Sequence, residues 1–245
     1  TGTEIGTFTT ISEDGCNEAS LTATITIINA PVVITPPPTP TVTITNGICK
    51  CPNATVGDEV TVNGTVYKVV DNSTIASQIT NGNYNLCTTL VTNMSFLFAG
   101  KSSFNSNIGF WDTSNVTNMN NLFQSAQTFN QDIGNWDVSN VTKMNNTFKY
   151  ARRFNQDISG WDVSSVTTMG VMFFEDEDFN QDIGNWDVSS VTNMNSMFTN
   201  AESFNQDLTG WCVTNITSEP GGFTSTTRAV LTDANKPIWG TCPGG

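Results

Sequence analysis

"FNQDIGNWDVSNVTKM" occupies residues 129–144, and near-copies return as "FNQDISGWDVSSVTTM" at 154–169 and "FNQDIGNWDVSSVTNM" at 179–194. The spacing is 25 residues, with no insertion or deletion. Followed outward from this phrase, the period reaches from Val91 to Trp211. Val91, Val116, Val141, Val166 and Val191 form one column; Met94, Met119, Met144, Met169 and Met194 form a second. Two phenylalanine columns run through Phe98, Phe123, Phe148, Phe173 and Phe198, and through Phe104, Phe129, Phe154, Phe179 and Phe204. Ile108, Ile133, Ile158, Ile183 and Leu208 make a fifth, and Trp111, Trp136, Trp161, Trp186 and Trp211 a sixth. Apolar columns held in phase mean stacked units, each burying the same side chains against its neighbours.

Within one copy, Val141, Met144, Phe148 and Ala151 follow steps of three, four and three, the apolar face of a short helix. Ser139 stands where its N-cap belongs, as do Ser114, Ser164 and Ser189. The remainder, "FNQDIGNWDV", predicts a short strand. A strand and a helix in 25 residues fall within the range of leucine-rich repeats. The expected fold is therefore α/β: a leucine-rich-repeat-like solenoid of about five coils, its strands forming a parallel sheet.

The consensus "FNQDIxxWDVSxVTxMxxxF" resembles the DUF285-type repeat of bacterial surface proteins, in the BspA-like leucine-rich-repeat group. The resemblance implies a secreted or cell-surface protein whose role is adhesion to host, matrix or other cells. The chain is also similar to proteins exported by the type IX system, in which such repeats follow immunoglobulin-like modules. It implies no catalytic residues.

Composition narrows the function independently. Twenty-two acidic against nine basic residues leave a net charge of −13, which disfavours nucleic acid and anionic lipid. Histidine is absent, removing the commonest general base and metal ligand, and no nucleophile elbow or phosphate loop is present. A non-enzymatic protein is expected. No apolar run reaches the length of a membrane span, and the first ten residues lack the pattern of a signal peptide.

Residues 1–34 alternate Leu21, Ala23, Ile25 and Ile27 with threonines, and read as the C-terminal hairpin of an immunoglobulin-like β domain. "TPPPTPT" then makes a stiff linker, taken as 35–45. Residues 46–88 read as an N-terminal cap: two β-branched runs flank Asn63-Gly64, a type I′ hairpin signal, and a short helix capped by Ser73 follows. The repeat array covers 89–212. Residues 213–245 form the C-terminal cap, where Glu219-Pro220-Gly221-Gly222 breaks the pattern but Ile216 and Phe223 keep register.

All six cysteines lie outside the stretch between Leu90 and Trp211, which predicts disulfides at the array ends and an oxidising, extracellular compartment. Cys212 is expected to pair with Cys242. Cys87 is expected to pair with Cys49 or Cys51, Cys51 being the choice adopted here; Cys16 keeps the remaining cysteine or a partner upstream.

Four features compete as sites. The tryptophans read as core with satisfied N–H groups, the alternative being a sugar-stacking platform. Asn105, Asn130, Asn155, Asn180 and Asn205 read as an internal amide ladder. The columns Asp132, Asp157, Asp182, Asp207 and Asp112, Asp137, Asp162, Asp187 read as turn chemistry, with Ca²⁺ as the competing ligand; no other cofactor is expected. The sharpest departure is "FFEDED", where Glu175, Asp176, Glu177 and Asp178 stand one period beyond Arg152 and Arg153. It reads as an exposed ion-pair cluster between neighbouring coils or as a binding patch. The expected partner is a protein or glycan at the cell surface. The alternatives are a structural or export-linked part contacting outer-membrane secretion components, and a carbohydrate-binding module.

Overall fold

The computed structural model describes residues 39–224 and 231–244. The expected immunoglobulin-like hairpin at 1–34, and with it Cys16, lies outside the described residues. So does the proline-rich start of the linker, whose last residues enter strand β1 (Thr43–Thr45).

The cap begins where β1 pairs antiparallel with β2 (Ile48–Lys50). β3 (Glu59–Val62) and β4 (Thr65–Asp71) form the predicted hairpin, with Val62 opposite Thr65. Its turn holds Asn63 and Gly64 at φ 50° and 81°, the conformation that makes Asn-Gly favourable there. Helix α1 (Ile75–Thr80) follows and buries Ile75 and Ile79. Its N-cap is Thr74, not Ser73: the Asp71 carboxylate accepts the backbone N–H groups of both residues, at 3.0 Å each. β5 (Leu86–Leu90) then pairs parallel with β4.

From Val91 onward five 25-residue units stack in register, designated here the first (91–115) to the fifth (191–215). The short helix expected over Val141–Ala151 does not form. In the first four units, alternate backbone N–H groups donate to the next unit instead. Met144, Asn146, Phe148 and Tyr150 bond the carbonyls of Thr168, Gly170, Met172 and Phe174 at 2.8–3.0 Å. The intervening N–H groups of Thr147, Lys149 and Ala151 close tight turns onto the carbonyls three residues back. Asn146 and Tyr150 reach this geometry at φ 57° and 60°, and the same two positions have positive φ in every unit. Asn, Thr and Ser are weak helix formers, and a helix this short is unstable alone, so the inter-unit bonds win.

The strand expected in "FNQDIGNWDV" is also displaced. Parallel bridges join Asn93, Asn118, Lys143, Thr168 and Asn193, inside the stretch whose spacing predicts a helix. Ser139 is not an N-cap. Its N–H and hydroxyl both bond Asp137 Oδ1, at 3.1 and 2.6 Å, closing a turn, and Ser114 and Ser164 repeat the arrangement with Asp112 and Asp162. At Ser189 the backbone N–H alone is seen on Asp187.

Packing explains the strict period. Phe123, Phe148, Phe173 and Phe198 stack at centroid spacings of 5.6 Å with rings within 13° of parallel. Within a unit, Phe148 also stacks on Phe154 at 4.1 Å. All six columns are buried. A changed ring in one unit would leave a gap against two neighbours, and close-packed interiors tolerate such gaps poorly.

Beyond Trp211, Ile216 and Phe223 remain in the core, and Phe198 N–H still bonds the Phe223 carbonyl at 2.9 Å. Among the described residues no helix is long and apolar enough to cross a membrane.

Candidate functional site

The polar columns close turns and join units. Each column asparagine holds the next: Asn130, Asn155, Asn180 and Asn205 donate their backbone N–H to the side-chain oxygen one period upstream at 2.9–3.0 Å. Asp132, Asp157, Asp182 and Asp207 each accept the N–H two residues on. Hydrogen bonds from Ser159, Ser164 and Thr209 hold the carboxyls of Asp157, Asp162 and Asp207 below the usual carboxylate range. These acids are engaged with protein donors, and among the described residues no group of three or more potential ligands could hold a metal ion.

The tryptophans face inward. Trp136, Trp161, Trp186 and Trp211 donate their indole N–H to the carbonyls of Ile108, Ile133, Ile158 and Ile183 at 3.0–3.2 Å, and none is more than 4% exposed. A sugar-stacking platform built on this column has no open aromatic face.

The edge carrying "FFEDED" is different. Stacking brings Arg152 onto Glu177 at 2.6 Å and Glu175 at 3.6 Å, and Arg153 onto Asp178 at 3.1 Å. The predicted juxtaposition is present, with one exception: Asp176 does not join the exposed cluster and is fully buried. It occupies the column held by the buried Ala126, Ala151 and Ala201, and stacking encloses it with them, whereas Lys101 at the same column of the first unit stays partly exposed.

Three further residues on this edge escaped the sequence reading. Tyr150 and Phe174 meet edge to face at 5.4 Å, and Lys149 Nζ lies 5.2 Å from the first ring and 5.4 Å from the second. All three are partly exposed. Their signal was positional: the same columns hold Gln124 and Ser125 in the second unit and Thr199 and Asn200 in the fifth. A cleft lies on the N-terminal cap, lined by Glu59, Lys68, Gln78 and Asn83 among others. Lys68 pairs there with Glu59 at 2.8 Å and Asn83 with Gln78 at 3.0 Å, so these four side chains are engaged with one another.

At the array ends, Cys51 bonds Cys87 and Cys212 bonds Cys242, the predicted pairs. Cys49 is a buried free thiol that burial, and then the Asp112 charge, pushes up to about 12. It stays protonated at neutral pH and so does not attack the neighbouring disulfide.

A family model described as "Mycoplasma protein of unknown function, DUF285" matches residues 66–175 and, overlapping them, 133–234. The chain belongs to this family. The DUF285 matches take in the last strands of the N-terminal cap, all five units and the start of the C-terminal cap. No curated protein and no solved structure matches the chain. Membership and the two disulfides agree with a surface-protein module in an oxidising, non-cytoplasmic setting.

Proposed function

We propose that this DUF285 chain is a non-enzymatic interaction module of a secreted or cell-surface bacterial protein, a solenoid of the BspA-like leucine-rich-repeat kind that serves adhesion. One observation carries the reading: departures from the repeat gather on one edge of the third and fourth units. There a lysine, two partly exposed aromatic rings and a set of ion pairs replace small polar residues. Aromatic and arginine side chains are the usual anchors of protein interfaces. The partner is a protein or glycan at a cell surface.

The test is binding of the purified chain to intact cells, using Tyr150→Ser and Phe174→Thr, which install residues that other units carry. Adhesion reduced tenfold or more at an unchanged melting temperature supports the edge as the site. Unchanged adhesion removes it.

A second reading, a structural or export-linked part of a larger surface protein contacting type IX outer-membrane components, is favoured by the ion pairs. Arg152 and Arg153 bond the neighbouring unit, which is what an internal clamp requires.

A further inference from the structure

Asp176 is the one acid of the described array placed in an alanine column, between Ala151 of the third unit and Ala201 of the fifth. Its side chain is fully buried, and neither carboxyl oxygen has a hydrogen-bond partner. The flanking methyl groups offer none. Arg152 bonds the residues on either side, through Nη1 to Glu177 and Nη2 to Glu175, and leaves Asp176 unpaired. The Arg152 Nε is itself buried without a partner. A clamp between the third and fourth units therefore closes over an acid that is stable there only when neutral.

We propose that Asp176 makes this joint a proton-dependent latch, closed while its carboxyl is neutral and opening locally when the carboxyl ionises. The surrounding charges are unevenly placed. Its own unit supplies Glu175, Glu177 and Asp178, all acidic. The third unit supplies Lys149, Arg152 and Arg153, the two arginines bonded to those acids. Glu202 of the fifth unit holds the register position of Glu177. Burial first, and the Asp178 charge second, push the Asp176 carboxyl well above the ordinary range. The nearby amides of Phe179 and Asp178 pull the other way without reaching hydrogen-bonding geometry, and the Glu177 charge adds to the rise. On ionisation the carboxylate must reach water. The bonds that stand in its way are Tyr150 N–H to Phe174 O, Glu175 N–H to Thr199 O and Asp178 N–H to Arg152 O.

The sign follows from linkage. In the unfolded chain an aspartate titrates near about 3.9. Between there and the raised folded value, the folded protein binds the proton more tightly. Stability therefore falls as pH rises, by up to about tenfold in the unfolding constant per pH unit, and levels off above the folded value. The turn carboxyls of Asp157, Asp162 and Asp207, shifted downward, act with the opposite sign below about pH 4, so the two windows separate.

The test uses the intact chain with Asp176→Ala, which installs the residue of the second, third and fifth units, and Asp176→Asn, which keeps the shape without the charge. Unfolding midpoints and amide exchange are followed from about pH 4 to about pH 9, across the window that linkage defines. The latch predicts that the wild type alone loses stability through this range. It also predicts that protection at Tyr150, Glu175 and Asp178, corrected for intrinsic exchange, falls only in the wild type. Parallel stability profiles for the three proteins overturn the proposal, as does a loss of protection that persists in Asp176→Asn.

Discussion

The indole N–H of Trp161 donates to the carbonyl of Ile133, 28 residues upstream, at 3.2 Å, inside the core. The bond crosses between stacked units, so the tryptophan both fills space and satisfies a buried carbonyl of its neighbour. Trp161→Phe removes the donor and part of the volume. The expected loss is about 2–4 kcal/mol, from an orphaned carbonyl plus a partly filled cavity. Urea unfolding checks it; a loss under about 0.5 kcal/mol, below the usual worth of one hydrogen bond, would show that the indole N–H contributes nothing.

The disulfides close loops of 36 and 30 residues at opposite ends of the array. In the chain-entropy account each removes about 3–4 kcal/mol of unfolded-state freedom. Cys212→Ser with Cys242→Ser should therefore destabilise by up to that amount. Because stacked units couple mainly to their neighbours, the fraying should begin in the C-terminal cap. Hydrogen exchange would locate the loss; uniform weakening across all five units would contradict the nearest-neighbour picture.

The core columns were legible in the sequence because stacking like on like demands the same apolar residue at the same position. The path of the backbone was not. Steps of three and four at Val141, Met144 and Phe148 describe a helix face, but they equally describe successive tight turns whose N–H groups point to the next unit. The left-handed positions that would have told them apart hold glycine only at Gly100 and asparagine at Asn121, Asn146 and Asn200, while Phe96, Tyr150 and Val171 carry no signal. The ion pairs of Arg152 and Arg153 followed from the 25-residue offset alone. Tyr150 and Phe174 carried no charge to mark them, and only their columns, small or polar in other units, set them apart. For Asp176, charge argued for the surface and register placed it inside, and register won.

Val171 has φ 62°, where the other units carry Phe96, Asn121, Asn146 and Ser196. A β-branched side chain suffers most in that region. Val171→Asn should stabilise the fold by about 1 kcal/mol, read as a raised urea midpoint with unchanged slope. Val171→Gly should stabilise less, because glycine also loosens the unfolded chain. If both variants are destabilised, the packing of the half-buried valine outweighs its backbone strain.

Arg152 and Glu177 approach to 2.6 Å, yet their side chains remain 44% and 34% exposed. Solvent screens such a pair, so a double-mutant cycle with Arg152→Ala and Glu177→Ala should give a coupling of at most about 1 kcal/mol. That coupling should shrink toward zero at about 1 M salt, where the Debye length falls to about 3 Å. Arg152 also bonds Glu175, so Glu177→Ala alone leaves the guanidinium a partner and should be milder than Arg152→Ala. A coupling well above that bound, insensitive to salt, would mean that the pair is drier than its exposure indicates. The clamp over Asp176 would then be stronger than surface electrostatics allow, and local opening would become the less accessible route to ionisation.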